Sequence, residues 1–224
     1  DVCSSDLIFV LGRSIEILDR LQKTARNPED TEQVERLLAN CLRNHANEQT
    51  LDSQNPTESD WRNWVKVFSR TKRMHQQFFD KNPKDVDARA DLARSLYALA
   101  RALAYWGLQL KSNGKMQLED SLLEISDAQQ RFQDLASDFR ATPEYAEQRI
   151  RAIHLRAIIL AELGRLVESA SDLQEADNLM MIYQRNFPEL PREEVRLNIA
   201  KMATRVCDHF VKNKDRATAK QIAD

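Results

Sequence analysis

The stretch Leu163-Gly164-Arg165-Leu166-Val167-Glu168-Ser169-Ala170-Ser171-Asp172-Leu173-Gln174-Glu175-Ala176 carries a tight glycine turn into a run with helical spacing. The turn is not alone. Asn113-Gly114-Lys115 stands 50 residues before it and Asn213-Lys214-Asp215 stands 50 residues after it. An equal period in a chain of 224 residues is the mark of an array, in which each supersecondary unit covers the apolar face of the next.

A second kind of break lies between these turns, at Asn27-Pro28, Asn82-Pro83, Thr142-Pro143 and Phe187-Pro188 with Pro191. Proline stops the preceding helix and suits the first turn of the next, where its missing N–H would be unsatisfied anyway. Apolar residues recur at helical spacing between the breaks, as in Ile15, Leu18 and Leu21, or Trp61, Trp64, Val65 and Phe68. The pattern predicts helices over 8–26, 29–48, 58–81, 85–111, 116–139, 144–162, 166–186 and 191–212, with another starting at 215. Thr57 followed by Asp60 has the form of a capping box at the start of the third. Short connections make neighbours antiparallel, so the expected class is all-α, built of tandem helical hairpins. The helix before each tight turn is termed A and the one after it B.

Composition agrees. Four Gly and six Pro are few for this length, and Ala, Leu, Arg, Glu, Asp and Gln dominate. Thirty-three basic against thirty-five acidic side chains leave a net charge of -2, which offers no footprint for nucleic acid. The longest largely apolar stretch, Ala98 to Leu110, is broken by Arg101 and is too short to span a bilayer. Cys3, Cys41 and Cys207 form no CxxC pair, and His45, His75, His154 and His209 stand at no metal-ligand spacing. No metal or cofactor is therefore expected, and scattered thiols fit a reducing, cytoplasmic setting. Residues 1–7 (DVCSSDL) resemble the translation of a sequencing adapter and read as a non-native leader. The C-terminal Ile222-Ala223-Asp224 falls in the opening turns of a helix without a terminating signal. The expected organisation is a repeat array over 8–224, truncated at both ends.

Residues 164–176 resemble the second half of a tetratricopeptide repeat. In that family a glycine turn is followed by small residues where helices A and B touch, which the resemblance assigns to Ser169 and Ala176, with the large Leu173 between them. Only small side chains let two helix axes approach to about 8 Å. Trp106, Gly107 and Leu110 match the family's aromatic, small, large pattern on helix A, and Ala219 falls at the small position 50 residues after Ser169. Two departures stand out. The period is about 50 against the family's 34, and Glu119 occupies the small position of the middle unit unless the register slips there. The fold implied is a right-handed α-solenoid of long repeats. The Asp91-Leu92-Ala93-Arg94-Ser95-Leu96 phrase with its Asn-Pro break also resembles repeats that follow the kinase domain in some planctomycete serine/threonine kinases, although no kinase motif occurs here.

Basic residues recur at the same point of three A helices, Arg101, Arg151 and Lys201, with Tyr105, Lys111, His154, Arg205 and Lys212 near them. In the tetratricopeptide family this face lines a concave peptide groove, so the resemblance implies an acidic segment or a C-terminal carboxylate as partner. Trp61, Trp64 and Phe68 have the spacing of a core stripe, and Met180, Met181 and Ile182 read as gap-filling core. His154 has no accompanying nucleophile or acid motif, and adjacent carboxylates such as Glu119-Asp120 do not face one another. No phosphate loop or nucleophile elbow is present. The expected function is a bacterial protein–protein interaction scaffold, with no catalysis by these residues. The alternative is the regulatory or docking region of a larger enzyme such as a bacterial serine/threonine kinase.

Overall fold

The computed structural model describes residues 4–24, 27–110 and 113–189. These form seven α-helices, with no strand among the described residues. They are α1 (Ser4–Thr24), α2 (Pro28–Asp52), α3 (Glu58–Lys81), α4 (Val86–Leu110), α5 (Lys115–Asp138), α6 (Pro143–Glu162) and α7 (Leu166–Asn186). The helices read from sequence agree with these to within a few residues. The helices expected over 191–212 and from 215 lie outside the described residues. Ser4 to Leu7, read as a leader, are part of α1.

The helix ends follow from local chemistry. Pro28 opens α2, and the Asn27 side chain accepts from the Asp30 N–H at 2.7 Å, satisfying one of the donors a helix start leaves free. At α3 the capping box is complete: Asp60 N–H donates to Thr57 Oγ1 and Thr57 N–H to Asp60 Oδ2, at 3.3 and 2.8 Å. After α6 the chain turns at Gly164 with φ 77°, a left-handed conformation that suits glycine. Gly164 N–H donates to Ala161 O and Arg165 N–H to Leu160 O, the two bonds of a Schellman motif. Before α5 a different constraint acts. A Cβ on Gly114 would lie 1.9 Å from the carbonyl oxygen of Gly107, so the chain folds back there only through glycine.

The chain divides into two compact units, Asp1–Trp106 and Gly107–Asp224. In the first, α1 packs on α2 and α2 on α3. Its core joins Ala46 of α2, Trp61, Trp64 and Phe68 of α3, and Ala98, Leu99, Ala102 and Leu103 of α4. Trp61 and Trp64 meet edge to face at 5.0 Å. The tryptophan and phenylalanine stripe is thus core, as its spacing implies, and burial of such rings dominates the stabilisation of a small unit.

In the second unit α6 packs against both α5 and α7. It is buried nearly all round, with Ile150, Ile153, Ile158, Ile159 and Leu160 enclosed, as a helix flanked on two sides must be. Ser169 and Ala176 are fully buried on α7, and Leu173 packs against Ala161 of α6. Ser169 Oγ donates to the Ala157 carbonyl of α6 at 2.8 Å, so the small residue stands at the helix contact. On α5 the register does slip. Glu119 is exposed and pairs with Lys115 at 3.6 Å, while Ser121 and Ala128 are buried with the spacing of Ser169 and Ala176. One expectation fails: Met180 is core, but Met181 and Ile182 are 55% and 52% exposed, because they follow it round the helix onto the solvent side.

Candidate interaction face

The A helices of the first unit, α2 and α4, are tied directly to one another by polar side chains. Arg36 of α2 reaches Asp85 at 3.1 Å and Asp91 at 3.4 Å. Asn40 Nδ2 donates to Asp91 at 3.3 Å, and Arg43, itself buried, lies 3.7 Å from the same carboxylate and donates to the Asp91 carbonyl. Arg94 closes the cluster at 3.2 Å on α4 itself. A carboxylate as enclosed as Asp91 would be costly alone, and its neighbours offset that cost. Burial acts to raise the Asp91 pKa, yet the charges of Arg43 and its neighbours prevail and hold it below the ordinary carboxylate range. Further along, Arg101 donates to Asn47 Oδ1 at 3.0 Å and to Thr50 at 3.4 Å. Successive A helices therefore lie side by side in this unit.

In the second unit the A helix carries three arginines with different tasks. Arg149 reaches Glu175 of α7 at 2.8 Å. Arg151 pairs with Glu147 one turn back, at 2.5 Å. Arg156 grips the buried Asp172 of α7 with two bonds, Nε to Oδ2 at 2.6 Å and NH2 to Oδ1, and this fork raises the arginine's pKa above its ordinary value.

These placements change the groove expected from sequence. Tyr105 is 39% exposed and available to a partner. Arg101 is half-buried and engaged with α2, and Arg151 is half-buried and engaged with Glu147, so neither is a free cation. His154 is a correction: at 3% exposure it lies in the core of the second unit, since it follows the inward-facing Ile150 by one turn of an enclosed helix. Burial pushes its pKa down to about 4. Lys111, Lys201, Arg205 and Lys212 lie outside the described residues.

Sequence reasoning missed the clusters around Asp91 and Asp172. Each has a faint signal, an acid next to apolar residues of the packed face: Asp91 beside the buried Leu92 and Ala93, Asp172 beside Leu173. It also missed a contact of His75 with Ser95, Nδ1 to Oγ at 2.7 Å, close to the charge of Asp91. Serine, histidine and aspartate together suggest a nucleophile, but His75 and Ser95 are both fully buried and a substrate cannot reach them. The described residues hold no group of acid, His or Cys side chains placed to bind a metal ion. None of their helices is long and apolar enough to cross a membrane.

No family model matches the chain, and no curated protein matches it. Among solved structures it is similar to the DHF58 filament, with TM-score 0.50 and 18% identity over 85% of this chain and 91% of that one. The DHF79 filament follows with TM-score 0.42 and 14% identity, over 86% of this chain and 96% of the other. The first of these likenesses concerns the fold alone. The described residues are all-helical, an architecture consistent with a helical repeat or bundle.

Proposed function

We propose that the chain is a protein-interaction scaffold, a tetratricopeptide-like α-solenoid of long repeats that holds a peptide or partner domain along its A helices. The observation that carries this reading is the side-by-side pairing of α2 and α4 through Asp91 and Arg101, with α3 on the same core. A stack of hairpins joins A to A in this way and presents those helices as one continuous surface. The buried small residues Ser121, Ala128, Ser169 and Ala176 support it, because they are what close A/B contacts require. Since Arg101 is engaged, recognition on the first unit rests on Tyr105 and on that arginine exchanging its present acceptors for those of an acidic partner.

Peptide display against the full chain tests this. Acidic peptides should be enriched, and their binding should be lost in Tyr105→Ala or Arg101→Glu but kept in Val167→Ser, an exposed site on α7. Binding indifferent to the two A-helix variants would overturn the reading.

A further inference from the structure

His75 is fully enclosed in the first unit, where α3 meets α2 and α4. From α2 the charged groups that face it are Arg36 and Arg43, and from α4 they are Asp91 and Arg94. Asp91 is the buried carboxylate that meets all three guanidinium groups, and Asp85 and Asp87 add to it on Arg36. The imidazole's Nδ1 is engaged with Ser95 and its Nε2 is buried without a hydrogen-bond partner. The charged imidazolium would therefore hold an Nε2–H with no acceptor and a positive charge enclosed away from water, beside the guanidinium of Arg43. Water can solvate that charge only if α3 draws away from its neighbours.

We propose that the packing of α3 against α2 and α4 is an acid-sensitive joint, in which protonation of His75 releases α3 and uncovers the apolar face formed by Trp61, Trp64, Phe68 and Phe78. The device is local. His75 sits midway along α3, and the residues it would uncover lie on both sides of it on the same face. Burial first, and the charge of Arg43 second, hold its pKa down to about 4. The closed form is thus favoured above the unfolded value near 6.5 and is progressively lost as pH falls from there toward 4. Opened, the unit would offer an aromatic surface that neutral pH conceals, a property suited to exchanging partners on acidification.

The test uses the full chain and its own reporters, since all three tryptophans, Trp61, Trp64 and Trp106, belong to the first unit. Between pH 7.5 and 4, tryptophan emission should shift to the red and a hydrophobic dye should bind, while far-ultraviolet dichroism retains most of the helix. In His75→Gln, which keeps a partner for Ser95 but cannot charge, the midpoint should fall by at least about one pH unit. His154→Gln should leave it in place. An unchanged midpoint in His75→Gln, or emission constant down to pH 4, would overturn the proposal. If His75→Gln fails to fold, the imidazole of the unmodified chain is followed by NMR. A His75 titration well below 6.5, in step with the indole signals, sustains the joint, and one near 6.5 with fixed indole signals refutes it.

Discussion

Replacing Ser169 separates two reasons for a small residue at the α6/α7 contact. Its side chain is fully buried and its hydroxyl donates to Ala157 O at 2.8 Å. Ser169→Ala removes the hydrogen bond while keeping the volume, a loss of about 1 kcal/mol. Ser169→Leu removes the same bond and also forces a branched side chain between two helices in contact, adding about 1–3 kcal/mol of overpacking. The second variant should therefore cost about 2–4 kcal/mol in all. For a unit of this size roughly 4 °C is lost per kcal/mol, so the melting temperature should fall by roughly 4 °C in the first variant and roughly 8–16 °C in the second. Differential scanning calorimetry of the full chain, with Val167→Ser as an exposed control, reads the difference directly. If Ser169→Leu melts within about 2 °C of Ser169→Ala, the helices separate at no cost and close approach is not what selects the small residue.

Gly114→Ala should destabilise the second unit by about 1–3 kcal/mol or more in urea unfolding, because its Cβ would fall 1.9 Å from Gly107 O and backbone must move to admit it. Asp172→Ala should cost about 3–5 kcal/mol by stranding the half-buried Arg156, whereas Arg13→Ala, at an exposed ion pair on α1, should change little by the same measurement. His154, neutral in the core with a pKa of about 4, makes the second unit weaken as pH falls from near 6.5 toward 4. The loss should reach about 2 kcal/mol at pH 5, and His154→Leu should remove that pH dependence from the second unit's calorimetric transition.

The helices were legible because each local signal agreed with the next. Asn27-Pro28, the Thr57 and Asp60 pair, Thr142-Pro143 and Gly164 all sit where the structure starts or stops a helix. Trp61, Trp64 and Phe68 carry enough apolar area that their spacing alone fixes which way they face. The interaction face was legible only in outline. A periodic list of basic residues does not say which carboxylate or amide lies across the neighbouring helix, and Asn47 and Thr50, which hold Arg101, stand over 50 positions earlier in the chain. His154 misled for a related reason. On a helix covered from two sides the polar face vanishes, and a polar residue no longer marks the surface.

The pairing of α2 with α4 is the point on which the scaffold reading turns, and a double-mutant cycle between Arg43 and Asp91 tests it most directly. Unfolding free energies of Arg43→Met, Asp91→Leu and the double variant should not add. The account predicts a coupling of at least about 1 kcal/mol, with the double variant more stable than the sum of the single losses, since each single change removes a charge that offsets the burial of the other. Additivity to within about 0.5 kcal/mol would mean that the two side chains do not meet, and that successive A helices do not lie side by side.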